Sequence, residues 1–366
     1  MTAEQLISFA RGAPSPDIID VAGLKAAAAR AFDADPAGMT AYGTSVGYVP
    51  LRQWIAAKHG VAPEQVIVTN GSLQADAFLF NHLVHAGDDV VVELPTYDRT
   101  LLSLQNLGGK VHQIRMDEDG VDVDELRRRL ESGLRPKIAH IIPNYQNPYG
   151  VTLSAERRRV LLQLAAEYRF VIFEDDPYVD IRFRGEPLPS MLSMDSDNVV
   201  VHASSFTKTV CPGVRVGYLI GPVALIGAIA KTATNLYISP GMVSEAIVHQ
   251  FCVSGDIDRS IATVRAALSE RAALLADAIR RHIPDATFTE PDGGYFLWVD
   301  LSEDLDVDKL FPAAAAKGVA VVKGSDFVLD GGRHSLRLAY SAVTADQIDE
   351  GVRRLAAAID EVRRSS

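Results

Sequence analysis

Cysteine is nearly absent from this chain: Cys211 and Cys252 are the only two, and neither sits in a C-x-x-C pair. That excludes a disulfide framework or a zinc site as the organising principle. The opening MTAEQLISFARGAPSPD lacks the apolar centre of a secretory signal, and no run of ~18 apolar residues follows anywhere. Neither secretion nor membrane spanning is expected, and the cytoplasm is the simplest compartment. Positive charge is in deficit, with 36 basic against 47 acidic residues and a formal charge of −11. Such a surface repels phosphate backbones, so nucleic acid is not an expected partner. The basic clusters Arg127-Arg128-Arg129 and Arg157-Arg158-Arg159 lie beside acidic residues in helix-like stretches and read as solvated helix faces. The nucleotide-binding patterns G-x-G-x-x-G and G-x-x-x-x-G-K-[ST] are missing too.

What is present is apolar material: 48% of the 366 residues, enough for a large core and about right for two unequal domains. From about residue 60, short β-branched runs alternate with longer helical periods. The runs are Gln65–Thr69, Asp89–Glu93, Lys110–Arg115, Lys137–Pro143, Phe170–Glu174, Asn198–Ala203 and Val214–Ile220. Runs apolar on both faces and separated by helices predict an α/β fold with a mostly parallel, seven-stranded, helix-covered sheet. Asn198–Ile220 breaks the alternation, since two runs follow one another across a loop, which predicts an antiparallel pair there. After about residue 255 the texture changes to a long helix over Asp256–His282, short runs, and a last helix over Thr344–Arg364. The predicted division is an N-terminal arm (1–40), a large domain (41–254) and a smaller α+β C-terminal domain (255–366).

In α/β folds ligands gather beyond the carboxyl ends of parallel strands, so the residues after each run carry the interest. Thr69-Asn70-Gly71-Ser72 precedes a helix and offers backbone N–H groups to a phosphate, though any strand-to-helix turn uses such residues. Glu174-Asp175-Asp176-Pro177-Tyr178 supplies carboxylates that suit a metal, a helix cap or a protonated ring nitrogen. No histidine lies nearby in sequence, which disfavours a transition metal. Ser204-Ser205-Phe206-Thr207-Lys208, then Pro212-Gly213-Val214-Arg215, puts an amine and a cation at the end of another run; singly, Lys208 reads as a surface lysine. Together the pieces form the set that pyridoxal 5′-phosphate (PLP) needs: a phosphate cup, a carboxylate and an imine-forming lysine.

The order and spacing of these pieces resemble the fold-type I PLP enzymes, in the aminotransferase branch of 2-aminoadipate, kynurenine and valine–pyruvate transaminases. The matching motifs are FARGAPSPD (Phe9–Asp17), YGTSVGYVPL (Tyr42–Leu51), PNYQNPYG (Pro143–Gly150), EDDPY (Glu174–Tyr178), SFTKTVCPGVRVG (Ser205–Gly217), GGYFLW (Gly293–Trp298) and LRLAYS (Leu336–Ser341). The resemblance implies that Lys208 forms the aldimine and shuttles the α-proton, while Asp175 pairs with the ring nitrogen. It further implies that Tyr178 and Asn147 bond the ring's 3′-oxygen and that Tyr97 stacks on the ring. Ser72, the Leu73 backbone, Ser205 and Arg215 would hold the phosphate, joined by Tyr42 from a partner subunit, which implies a homodimer with shared sites. Arg337 would grip the substrate α-carboxylate; in an alternating strand it is equally placed to face water. The N-terminal segment, with Gly12 and Arg11, would lie over the substrate. Arg11, Tyr149 and Lys323 depart from the usual family residues at their positions. The implied reaction is transfer of an amino group from an amino acid to a 2-oxo acid by way of pyridoxamine phosphate. Elimination, cyclisation or oxidation on the same cofactor stands as the alternative. A DNA-binding regulator built on this fold is disfavoured by the acidic charge and by an arm that begins the chain.

Overall fold

In the computed structural model, which describes residues 6–365, the β-branched runs become strands of one large sheet. After β1 (Ile7–Ser8), its members are β2 (Val66–Thr69), β3 (Asp89–Leu94), β4 (Lys110–Asp117), β5 (Gly120–Val121), β6 (Pro136–Ile141), β7 (Val171–Asp175), β8 (Val200–Ser205) and β9 (Gly217–Ile220). The spatial order is β2-β9-β8-β7-β6-β3-β4-β5. From β8 to β4 every neighbouring pair is parallel, whereas β9 runs antiparallel to both β2 and β8. The antiparallel pair expected in Asn198–Ile220 is therefore β8 with β9. The sheet has eight strands, not seven: β5 folds back on β4 as a two-residue edge strand, too short to show a period. Val90, Val91 and Val92 are all fully buried, as helices on both faces of a parallel sheet require.

One register positions the turn at Gly71-Ser72. Gly217 opens β9 opposite Thr69 on one side and Ser205 on the other, so the ends of β2 and β8 lie level with each other. A Cβ on Gly217 would stand 2.5 Å from the Ser72 nitrogen and 2.6 Å from the Gly71 carbonyl carbon. Only glycine lets β9 pass this close to the turn.

The chain closes with β10 (Phe296–Asp300), β11 (Val319–Ala320), β12 (Val322–Lys323) and β13 (Ser335–Ala339). Three of them form an antiparallel sheet in the order β10-β13-β12, and the long helices Asp256–His282 and Ala345–Ser365 pack together beside it. β1 pairs in parallel with β11, which carries Ala10–Gly12 towards the site. The stretch read as an arm is largely helical. Val21–Ala34 forms a helix whose N-cap, Asp20, accepts from the Gly23 N–H at 2.7 Å. It buries Gly23, Ala27 and Ala31, residues too small to mark an apolar stripe in the sequence.

Arg158 corrects the reading of the second basic cluster as solvated: it is fully buried. Its guanidinium donates to the Leu153, Pro189 and Pro143 carbonyls and to Asn144 Oδ1, at 2.8–3.1 Å, so each of its three nitrogens has a partner. It ties the helix Ala155–Tyr168 to the loop after β6. Among the described residues no helix is long and apolar enough to cross a membrane.

Candidate active site

The carboxyl ends of β3, β6, β7 and β8 lead into one cavity of about 370 Å³. Ser72, Leu73, Tyr97, Asn147, Asp175, Tyr178, Ser205, Lys208 and Arg215 line it, together with Gly12 and Arg337. The helix Ser72–Leu83 points its N-terminus there behind Gly71, whose φ of 87° suits glycine alone. Arg215, itself left-handed at φ 52°, lays its guanidinium against Gly71 and donates to the Asn70 carbonyl at 3.2 Å. The Thr207 N–H donates to Ser205 Oγ at 3.1 Å, shaping the turn between β8 and Lys208. A helix N-terminus, two hydroxyls and a guanidinium converging at one end form an anion cradle.

Lys208 lines the same cavity. Its Nζ donates to the Gly12 carbonyl at 2.8 Å and lies 5.5 and 5.0 Å from the ring centres of Tyr178 and Tyr295. Burial, reinforced by the Arg337 and Arg215 cations, pushes its amine down to about 8. Roughly one amine in ten is then neutral at pH 7, against roughly one in three thousand for an ordinary lysine. A neutral amine is what attacks an aldehyde. Asp175, at the end of β7, is buried with His140 Nε2 3.4 Å from its Oδ2, and its Oδ1 has no hydrogen-bond partner among the described residues. Burial holds the Tyr178 phenol well above its ordinary range, so it remains a neutral donor, and Tyr97 is pushed up to about 12 in the same way.

Arg337 reaches the cavity from β13 and does not face water: it is 7% exposed. Its guanidinium lies 4.3 Å from the Phe296 ring centre and 4.8 Å from that of Phe327. Nη1 donates to Asn147 Oδ1 and Nη2 to the Ala10 carbonyl, both at 2.9 Å. Asn147 is held from behind. Gln146 Nε2 donates to Glu93 Oε2 at 3.0 Å and to the Pro95 carbonyl at 2.9 Å, pinning the loop to the end of β3. Burial raises the Glu93 carboxyl to about 8.

The family profile described as aminotransferase class I and II matches residues 4–355. The chain belongs to this family. Among relatives of this aminotransferase, the aromatic-amino-acid aminotransferase 1 of Thermococcus litoralis is 31% identical over 97% of this chain and 88% of that protein. The 2-aminoadipate transaminase of Thermus thermophilus is 31% identical over 97% of this chain and 90% of its own length. Among solved structures, the alpha-aminoadipate aminotransferase of Thermus thermophilus, complexed with N-(5′-phosphopyridoxyl)-L-leucine, superposes with a TM-score of 0.94 at 30% identity, covering 99% and 94% of the two chains. The aminotransferase has the fold-type I architecture, uses PLP, and catalyses transamination rather than elimination, cyclisation or oxidation.

The aminotransferase's cavity fits that cofactor on its own chemistry: an amine near neutrality for the aldehyde, an orphaned carboxylate oxygen for the ring nitrogen, and an anion cradle for the phosphate. Tyr42 does not line this chain's cavity and is 87% exposed. Arg11 is exposed and outside the cavity lining. Tyr149 lies near Trp298, with ring centres 6.4 Å apart, and Lys323 pairs with Asp308 at 2.7 Å; neither lines the cavity. Residues missed from sequence are Asp76, Asp98, Arg99, Ile142, Pro177, Thr207 and Phe296 in the lining, and Glu93 and Gln146 behind it. Gln146, Pro177, Thr207 and Phe296 lie inside the family motifs, so they alone of these carry a sequence signal.

Proposed function

We propose that Lys208 holds the PLP aldehyde carbon covalently and carries the proton between the substrate α-carbon and the cofactor. Bound PLP supplies an electron sink for the electrons released at that carbon. Asp175 keeps the ring nitrogen protonated, since a carboxylate beside it favours the charged form. Tyr178 and Asn147 bond the ring's 3′-oxygen, Tyr97 covers the ring face, and Ser72, the Leu73 N–H, Ser205 and Arg215 hold the phosphate. Arg337 presents a bidentate fork to the substrate carboxylate, with Asn147 and the segment at Gly12 and Arg11 beside it. The convergence of Lys208, Asp175 and Arg337 on one cavity carries this reading.

The protein works as a cytoplasmic homodimer in which Tyr42 completes the partner's phosphate site. A residue 87% exposed on its own chain and absent from its own cavity supports that placement. We divide the chain functionally into an arm (1–40), a PLP-binding part (41–254) and a C-terminal part (255–366) that brings Arg337. The test of donor and residue roles is half-transamination: holoenzyme is mixed with single amino acids, with and without 2-oxoglutarate or pyruvate. A true donor converts the bound cofactor to pyridoxamine phosphate without acceptor, and adding the acceptor restores it. Arg337→Ala should abolish the conversion while leaving the bound cofactor's spectrum intact; an unchanged conversion rate would remove Arg337 from the substrate site.

A further inference from the structure

Asp175 is not the only buried carboxylate in the cavity. Asp76 lies one helical turn beyond Ser72, on the same face of the helix Ser72–Leu83, and also lines the cavity. It is 4% exposed, and its Oδ1, like Asp175 Oδ1, has no hydrogen-bond partner among the described residues. The third carboxylate in the lining, Asp98, differs: it is partly exposed, with Arg99 Nε 3.5 Å away. Packing does not call for an acid at position 76, since Ala75, Phe78, Leu79 and Phe80 around it are all buried and apolar. Burial and then the neighbouring Asp175 charge hold the Asp76 carboxyl well above its ordinary range. An uncompensated acid in such a place destabilises the fold unless a ligand satisfies it.

We propose that Asp76 is a second carboxylate partner of the cofactor's ring nitrogen, acting beside Asp175. The inference rests on the placement of that nitrogen at Asp175. A pyridinium held at Asp175 would lower the cost of ionising Asp76 and would share its positive charge with both buried carboxyls. The two acids therefore strain the empty protein and strengthen its hold on the ring, and those effects have opposite signs.

The probe is 4′-deoxypyridoxine 5′-phosphate, which keeps the ring nitrogen and phosphate but has no aldehyde to react with Lys208. Its affinity for the cofactor-free full-length chain is measured by calorimetry, beside the melting temperature of the same sample. Asp76→Asn and Asp76→Leu should each weaken the probe about tenfold or more, the loss expected for a hydrogen bond to a charged group. The empty variants should melt at the same or a higher temperature than the wild type. Unchanged or tighter probe binding in both variants would overturn the inference alone. A fall in both affinity and melting temperature in both variants would make Asp76 a structural residue and overturn it too. A wild-type chain that does not bind the probe would overturn the cavity assignment, and the inference with it.

Discussion

Arg337 Nη1 donates to Asn147 Oδ1 across 2.9 Å, joining the antiparallel sheet to the loop after β6. The contact orients the guanidinium before any substrate arrives, and the Ala10 carbonyl holds Nη2. Arg337→Lys keeps the charge and loses the planar fork. Catalytic efficiency should fall by about 2–4 kcal/mol of transition-state binding, with PLP affinity unchanged. Steady-state kinetics beside cofactor titration tests this; loss of PLP with intact kinetics would place the residue elsewhere.

Lys208→Ala should fold and bind PLP weakly through the cradle at Ser205 and Arg215, without a covalent link and without transaminase activity. Borohydride reduction followed by mass analysis decides the point. Retained covalent cofactor would move the linkage to another lysine.

The depressed Lys208 amine has a kinetic consequence in the cofactor-free chain. Its neutral fraction rises with pH, so the rate of covalent PLP capture should rise through a midpoint of about 8 and level off above it. Stopped-flow absorbance over a pH series reads the midpoint. A rate still climbing towards pH 10 would mean that burial does not depress this amine.

Gly217→Ala places a methyl group 2.5 Å from the Ser72 nitrogen, where both neighbours are backbone and cannot swing aside. The change should destabilise the fold by about 1–3 kcal/mol and weaken PLP through the displaced helix N-terminus. Denaturant melts with and without PLP separate the two effects. Wild-type PLP affinity in the variant would show that the cradle does not depend on this approach.

Lys208→Ala and Tyr42→Ala are expected to be nearly inactive alone and to complement each other when their subunits exchange. A mixed dimer then has one site carrying both lesions and one carrying neither, so roughly a quarter of all sites should recover if half the dimers are hybrids. Exchange is verified by tagging one chain. No recovery under verified exchange would remove Tyr42 from the partner's site.

The local sequence determined a good deal here. Alternating β-branched runs marked seven strands of the large sheet, because strand propensity and burial on both faces are written in consecutive residues. The motif residue Asp175 ends a strand, and Lys208, Ser72 and Arg215 lie within three residues of one, so finding the strands located them. Other features depended on partners distant in the chain. Arg158 and Asp76 sit in helices where nothing nearby in sequence says which polar side chain turns inward. Arg337 alternates in β13 like a surface residue, and only the packing of Phe296 and Phe327 takes it out of water. Hydrophobic periodicity assigns elements, but the facing of a single charge is decided by the register between elements, and that is set by the packing of the whole core.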